Sequence, residues 1–547
     1  MRYLEKAVFQ LDYGQLKLVF EALHERKTLL RNAPHLAHAL PIATPCYHLW
    51  EVPYYWAGMK MYDLVAGTSG LTMSRFCTAA ESLAMFPTLA ATQPSSDATG
   101  DGSPAATLKG TIVYRDGQFD DARLNVALAC TAAAAGATVA NYCRVTRLIK
   151  DERGRVVGAR VKDVTPGAGG WVTGGDEFDV RAKVVLNATG PFTDGVRKMS
   201  QASKANIMTP AGGTHVTLPG YFAPPDVGLI VPKTKDGRVV FMLPWLGAVI
   251  AGTTDALAPV TLRPRATAEE VAFILDALAP YLSVPATPAD VTSAWAGIRP
   301  LAADPTAGGG STENLSRDHV VVNEGDGMVT VTGGKWTTYR LMAEHAVDAA
   351  IAAADASSST KQDADAATRA DAASTTTPSL ASKAGPCRTA QVAVVGAHGY
   401  RQDLPARLTQ REAATGAAGG GSIDDGGGST AAVMRHLARA YGDRALEVLA
   451  LASSSPRVAG IDLGGRLVPG HPIIGAEVVY AARHEFCQTA CDFIARRTRL
   501  AFLDVAAAEA ALPRVTELLG KELGWSRRRV ARELADAKAF LATFRAG

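Results

Sequence analysis

The order of patterns along the chain predicts a mixed α+β and α/β fold. A three-layer α/β domain comes first, an antiparallel sheet is inserted into it, the chain returns to the first domain, and a helical domain closes the sequence. Three observations carry this. Residues 183–188 (KVVLNA) form a continuous apolar run ending in Thr189-Gly190-Pro191, as a buried parallel strand with a turn at its carboxyl end does. Residues 206–260 hold short strand-like segments broken by Gly and Pro, which reads as antiparallel pairing. Residues 328–332 read as a strand, Gly333-Gly334 as a tight turn and 336–352 as an amphipathic helix. The expected boundaries are 1–205 and 296–352 for the two parts of the α/β domain, 206–295 for the inserted sheet, 353–383 for a linker and 384–547 for the helical domain.

Residues 2–31 read as one or two helices, with Leu16, Val19, Phe20 and Leu23 on one face. An aromatic stretch follows, containing Tyr47, Trp50, Tyr54, Tyr55, Trp56 and Tyr62. Residues 91–107 are rich in Ser, Gly, Pro and Ala and read as a surface insertion. An Ala-rich helix is expected over 121–135, strands over 138–149, and a hairpin over about 155–163 turning near Gly154. Residues 353–383 carry almost no large apolar side chains. They cannot bury enough surface to offset the entropy of ordering, hence the linker. Residues 411–430 form a second Gly/Ala/Ser-rich loop, and 430–547 is helical, with Ser526 as N-cap of the last helix. No fixed-period repeat appears.

Composition narrows the function classes. At 547 residues the chain exceeds one ordinary core, and 47% hydrophobic residues can fill several. The net charge is only +3 and no dense Lys/Arg stripe interleaves with aromatics, which does not point to a nucleic-acid binder. An anionic ligand is therefore small and met by a few local cations. Seven scattered cysteines do not make a disulfide framework. No run of 18 apolar residues is free of polar interruption, so no transmembrane helix is expected. No signal or transit peptide is visible.

Several constellations could carry chemistry. In Val331-Thr-Gly-Gly-Lys-Trp-Thr-Thr-Tyr-Arg340, two glycines let a ligand approach the backbone. The helix that follows points free N–H groups and its positive dipole end at the turn. A negatively charged heterocycle such as a reduced flavin suits that place, with Lys335, Thr337 and Thr338 as donors. Taken alone, the string also fits a plain strand-to-helix connection. Asn187-Ala-Thr-Gly-Pro191 puts small residues at the carboxyl end of a strand, where α/β sheets bind cofactors. Arg2, His215, Arg299, Lys335 and Arg340 are candidate cations. Arg299 lies between Gly297 and Pro300 and can grip a phosphate or carboxylate bidentately. A surface salt bridge is its alternative, and a satisfied core histidine is the alternative for His215. His484, Glu485, Cys487 and Cys491 lack the second ligand pair a zinc site needs, so no metal is expected. Residues 394–399 (VVGAHG) lack nucleotide-loop spacing. Arg527-Arg528-Arg529 reads as a solvated helix start, and no nucleophile elbow is present.

Longer strings then decide between these readings. Arg2-Tyr-Leu-Glu-Lys-Ala-Val8, Ala22-Leu-His-Glu-Arg26, Pro53-Tyr-Tyr-Trp56, Tyr62-Asp-Leu-Val-Ala-Gly67 and Asp120-Asp-Ala-Arg123 occur in that order. Asn187-Ala-Thr-Gly-Pro-Phe-Thr-Asp194, Gly252-Thr-Thr-Asp255, Ala294-Trp-Ala-Gly-Ile-Arg-Pro-Leu301, Gly333-Gly-Lys-Trp-Thr-Thr-Tyr-Arg340 and Arg496-Arg-Thr-Arg-Leu-Ala-Phe-Leu503 follow. Together they resemble the FAD-dependent, mitochondrial-type glycerol-3-phosphate dehydrogenases, of the flavoprotein group similar in fold to D-amino-acid oxidase. The resemblance covers nearly the whole chain apart from the low-complexity inserts.

It implies an FAD-binding three-layer domain, an antiparallel substrate domain and a helical C-terminal domain. It implies FAD contacts at Ala188, Thr189, Gly190, Gly252, Thr253, Gly297, Gly333, Gly334, Lys335 and Thr337, with Val145 near the adenine. Arg2, Tyr3, Lys335 and Arg340 would meet the substrate, His215 would be the base, and Arg299 a clamp on the substrate and its developing oxyanion. The implied reaction oxidises glycerol 3-phosphate to dihydroxyacetone phosphate and passes electrons to membrane quinone. The implied place is the mitochondrial inner membrane, held peripherally at the membrane surface, and a homodimer is allowed. The family opens with a strand, a G-x-G-x-x-G turn and a helix, and this sequence starts after them, so the chain as written is expected to hold FAD poorly. An inactive truncated relative and an oxygen-using glycerol-3-phosphate oxidase are the alternative readings. No calcium-loop pattern lies near Gly547, so calcium control is not expected.

Overall fold

The computed structural model describes residues 13–94, 105–166, 175–232, 234, 238–302, 318–366, 379–417, 430–454 and 462–546. Helix α1 (Tyr13–Asn32) leads into strand β1 (Ala37–Cys46), helix α2 (Glu51–Ala66), β2 (Arg75–Thr78) and α3 (Ala79–Met85). The short β3 (Thr92–Gln93) and β4 (Ala106–Thr107) pair at the base of the expected insertion, whose residues 95–104 lie outside the described ones. Then come β5 (Gly110–Phe119) and α4 (Asp121–Ala134), whose N-cap Asp120 accepts from the Arg123 N–H. Strands β6 (Cys143–Lys150), β7 (Val156–Asp163) and β8 (Glu177–Arg181) form a meander, with Gly154 turning the first hairpin at φ +77°. Residues 138–142, expected as strand, precede β6 as coil. Strand β9 (Val185–Asn187) and α5 (Thr193–Ser200) complete the first part.

Strands β10 (Met208–Leu218), β11 (Gly228–Val231), β12 (Val240–Trp245), β13 (Ala248–Gly252) and β14 (Ala256–Leu257) follow, then α6 (Ala268–Leu278) and β15 (Ser293–Ala302). With β1, β2 and β5 they make a nine-stranded sheet, antiparallel except where β1 meets β11. Strand β15 runs along one side of β10, and β13 and β14 share the other. The pleat divides the faces of β10. Val216 and Leu218 pack with Val271, Ile274, Leu275 and Leu278 of α6 in one core. Gly213, His215 and Thr217 belong to the opposite face.

Strands β16 (His319–Asn323) and β17 (Met328–Gly333) return to the first part, where β17 pairs in parallel with β9. The parallel strand expected from KVVLNA is thus present, but it is shorter and not fully buried. Leu186 is 42% exposed, and β9 is paired on one side only among the described residues. Helix α7 (Tyr339–Ala366) extends past the expected end at 352 into the first part of the expected linker. Its run of alanines, the best helix formers, sustains it. Asp355 then accepts from the N–H groups of Leu380 and Ala381, fixing α8 (Leu380–Lys383) beside it. Residues 367–378 lie outside the described ones.

Helices α9 (Leu404–Ala417), α10 (Thr430–Tyr441), α11 (Ala445–Ser454), α12 (Gly475–His484), a π-helical turn at Asp492–Arg497, α13 (Leu500–Leu503), α14 (Val505–Glu522) and α15 (Arg527–Leu541) build the C-terminal domain around its own large core. Helix α9 enters the segment expected as a loop, and 418–429 lie outside the described residues. Ser526 caps α15 as expected, accepting from the Arg529 N–H. Among the contacts that seat this domain are the following. Arg123 of α4 binds Glu485 with both nitrogens at 2.7 and 2.8 Å. The hydroxyls of Thr217, Thr292 and Ser293, at one end of β10 and β15, donate to the carbonyls of Phe502, Leu503 and Ala501.

Candidate functional site

The face of β10 opposite α6 holds the densest convergence of the expected residues. His215 lies across from Gly252 on β13 and Trp295 on β15, while Gly213 faces Gly297 and Ala211 faces Arg299. The His215 ring stacks on Trp295 at 4.5 Å with 19° between planes, and tilts against Phe241 at 5.7 Å. Burial, the Arg299 guanidinium and Arg499 push its pKa down to about 3, so the imidazole is neutral at physiological pH. Its Nδ1 is buried and has no partner, which costs about 1–3 kcal/mol unless a ligand or solvent supplies one.

Arg299 sits one strand-turn away. Its Nη1 reaches Asp255 Oδ1 at 3.0 Å and its Nη2 reaches Thr253 Oγ1 at 3.0 Å. The side chain is 35% exposed, so the fork is anchored yet accessible. Both neighbours demand glycine. A Cβ at Gly213 would lie 2.5 Å from Arg299 Nη2, and one at Gly252 would lie 2.5 Å from His215 Cδ2. The segment 252–255 is pinned from behind, where Glu270 of α6 accepts from Thr254 Oγ1 and Thr214 Oγ1, both at 2.8 Å.

The end of β15 runs beside the glycine turn: a Cβ on Gly333 would meet Ala302 at 3.2 Å. Gly333 and Gly334 take φ +77° and +73°, a left-handed pair that brings the chain sharply into the helical turn Trp336–Thr338 and α7. Lys335 precedes that turn, and its carbonyl accepts from Thr338 at 3.0 Å. Asn187 at the end of β9 is buried and bridges to Thr193 and Thr330. Ala188 and Thr189 are exposed, and Gly190 has φ +55° with open space where a Cβ would be. Gly297 also has open space. Val145 is exposed on β6.

Two expectations fare differently. Arg2 and Tyr3 lie outside the described residues. Arg340 is held by Glu25 at 2.6 to 3.1 Å, by Glu344 at 2.6 Å and by Thr389. It clamps α1 and 389 to the start of α7, a tie between elements. Asp194, within the NATGPFTD string, accepts from the N–H groups of Ile207 and Met208 and so fixes the entry to β10. Sequence reasoning missed Trp295, Phe241, Asp255 and Glu270 as neighbours of the site. Trp295 and Asp255 left a signal, standing in the strings that begin at Ala294 and Gly252.

The comparisons with known proteins join this geometry. Residues 1–340 match the family of FAD dependent oxidoreductases, and 387–530 match the C-terminal domain of alpha-glycerophosphate oxidase. A mitochondrial glycerol-3-phosphate dehydrogenase of Arabidopsis thaliana is 48% identical over 546 residues, covering 100% of this chain and 78% of the plant protein. The chain belongs to the FAD-dependent glycerol-3-phosphate dehydrogenase family. The human mitochondrial glycerol-3-phosphate dehydrogenase is 43% identical over 99% of this chain and 66% of its own length. The glycerol-3-phosphate dehydrogenase of Bacillus halodurans, solved with FAD, shares the fold with a TM-score of 0.68 at 24% identity, over 95% of this chain and 84% of that one. In this dehydrogenase family's terms, the strings that carried the resemblance span both matched regions.

Proposed function

We propose that the protein oxidises sn-glycerol 3-phosphate to dihydroxyacetone phosphate with FAD and passes the electrons to a membrane quinone. The observation that carries this beyond family membership is the pairing of a neutral His215, its buried Nδ1 without a partner, with an anchored but half-exposed Arg299. FAD, when bound, supplies the acceptor for the hydride that leaves carbon 2. The residues fit such a group: Gly190 and Gly297 leave open space above the backbone, and the left-handed Gly333-Gly334 turn opens onto a helix start. Ala188, Thr189, Gly252, Thr253, Gly333, Gly334, Lys335 and Thr337 would hold it, with Val145 toward the adenine. His215 takes the proton of the carbon-2 hydroxyl. Arg299 and Lys335, with Arg2 and Tyr3, meet the phosphate and the developing oxyanion. The partners of Arg340 support a positioning role for it instead of direct substrate contact.

The same reading makes this a mitochondrial protein lying on the inner membrane. No helix among the described residues is long and apolar enough to cross a bilayer. The aromatic stretch supports a docking face on one side of α2: Leu49, Trp50, Tyr54, Trp56 and Leu64 are exposed, whereas Tyr47, Tyr55 and Met59 are buried. Trp and Tyr favour the headgroup layer. Liposome co-sedimentation of a Trp50→Ser, Trp56→Ser variant tests that face, and undiminished binding would remove it. The catalytic reading is tested with FAD-loaded, full-length protein. Glycerol 3-phosphate should bleach the flavin, and quinone should restore its colour without peroxide. A flavin that glycerol 3-phosphate fails to reduce overturns the substrate, and stoichiometric peroxide in the presence of quinone makes the protein an oxidase.

A further inference from the structure

The C-terminal domain delivers one charged side chain toward the site, and the family reading gives it no part. Arg499 is 7% exposed and has a left-handed backbone, φ +59°, unusual for a residue with a Cβ. Its Cζ lies 3.8 Å from the Phe502 ring centroid and 5.2 Å from that of Trp245. Phe502 meets Trp295 edge-on at 5.0 Å, and Trp295 is the ring on which His215 stacks. A continuous stack therefore runs from Arg499 through Phe502 and Trp295 to His215. Polar atoms along it lack partners: Arg499 Nε, Trp295 Nε1 and His215 Nδ1 are all buried without a hydrogen bond. The three hydroxyl-to-carbonyl bonds from Thr217, Thr292 and Ser293 to 501–503 fix the segment that carries the stack.

We propose that Arg499 is a positioning residue for the reaction at His215, acting through Phe502 and Trp295 and by its fixed positive charge, so that the C-terminal domain completes the site. This rests on the oxidation reading above. The charges facing His215 are Arg299 from β15 and Arg499 from the C-terminal domain; Phe241 and Trp295 present uncharged rings. After burial and Arg299, Arg499 is the third influence lowering the pKa of His215. Arg499 itself faces Asp121 Oδ1 at 3.3 Å and, less directly, Asp120. Its charge is thus offset on the α4 side, and the stack lies on the other. The result is an imidazole held in plane and unprotonated before substrate binds. A bound phosphate dianion supplies negative charge that favours the protonated form during the reaction.

Two variants that break the same ion pair separate this role from a merely structural one. In FAD-loaded, full-length enzyme, Arg499→Met removes the positive charge and should raise the acid limb of the kcat/KM profile for glycerol 3-phosphate by on the order of one pH unit. Asp121→Asn leaves Arg499 in place and should keep the limb at or below the parental position. The phosphate's own titration is common to all three proteins and cancels. A further variant, Phe502→Leu, keeps the charge and breaks the stack, and should lower kcat about tenfold with KM unchanged. Arg499→Lys should restore the parental acid limb. A parental profile in folded Arg499→Met, or equal shifts in Arg499→Met and Asp121→Asn, overturns the proposal. Should Arg499→Met fail to fold, parental kcat in Phe502→Leu overturns it instead. A parent that does not oxidise glycerol 3-phosphate overturns the earlier reading and is recognised before any variant is compared.

Discussion

His35 and His215 share several local features. His35 is buried and His215 half-buried, both have their pKa pushed down to about 3, and both have an Nδ1 without a partner. Each lies against an aromatic ring, Tyr400 for one and Trp295 for the other, and each feels a neighbouring arginine. The arginines differ. Arg123, beside His35, has its fork closed on Glu485 and its face under Tyr441, with 5% of the side chain exposed. Arg299, beside His215, shares one exposed carboxylate and the carbonyls of Gly212 and Thr254 and stays 35% exposed. The space next to His35 is about 30 Å³, room for a water and nothing larger. A depressed histidine pKa therefore reports burial. What sets the proposed ligand site apart is that the guanidinium of Arg299 stays partly exposed while that of Arg123 does not.

Exchanging the arginines should break the comparison most sharply. Arg299→Ala should lower kcat/KM by at least about 100-fold, a loss of roughly 3 kcal/mol, with little change in melting temperature. Arg123→Ala leaves Glu485 buried without a partner and should cost about 3–5 kcal/mol of stability, seen as an earlier denaturation midpoint. Its folded fraction should keep the parental kcat/KM. The reverse pattern in steady-state kinetics and denaturation would show that pairing does not distinguish the two arginines. His215→Gln should likewise reduce kcat by about 10²–10⁴-fold, whereas His35→Gln should stay within about twofold of the parent.

Stability against pH sharpens what the two histidines share. Their folded pKa values lie below the unfolded value of 6.5. The unfolded chain thus takes up protons first as pH falls. Stability is fully present above 6.5 and is lost between 6.5 and about 3, with a limiting slope of about 1.4 kcal/mol per pH unit for each histidine. Urea midpoints measured from pH 7 to pH 4 should fall less steeply in His35→Gln than in the parent. An unchanged slope would mean that His35 is not buried neutral. The smallest effect is expected at Asp255, whose side chain is 56% exposed. Asp255→Asn should change kcat/KM by less than about fivefold, the worth of an exposed ion pair.

Much of this was legible in the sequence because it depends on local chemistry. The Gly333-Gly334 turn, the Ser526 cap and the alternating strands of 206–260 follow from residue type and spacing, and they stand where expected. What escaped depends on partners distant in the chain. Arg340 looked like a substrate cation, but Glu25 comes from 315 residues away to bind it. The aromatic run from Tyr47 to Tyr62 looked uniform, yet α2 turns Tyr55 and Met59 inward and leaves Trp50 and Trp56 outside. Helix α7 outran its expected end because alanines that cannot fill a core still make good helix. Nothing in Arg496-Arg-Thr-Arg499 told the last arginine from its neighbours; the left-handed turn at 499 and its contacts with the Phe502 and Trp245 rings do so.

The bond from Thr217 to the Phe502 carbonyl joins residues 285 positions apart. It therefore also imposes an order in time. Chains emerge from the ribosome N-terminus first at about 5–20 residues per second, so the strand bearing His215 is exposed for tens of seconds before 499–503 can reach it. During that interval its Thr217 hydroxyl and Trp295 ring lack the cover they have in the finished protein. A nascent chain stalled before residue 499 should be cut more readily near β10 in pulse proteolysis than one stalled after the last helix. Equal cutting would mean that the sheet matures without its helical neighbour.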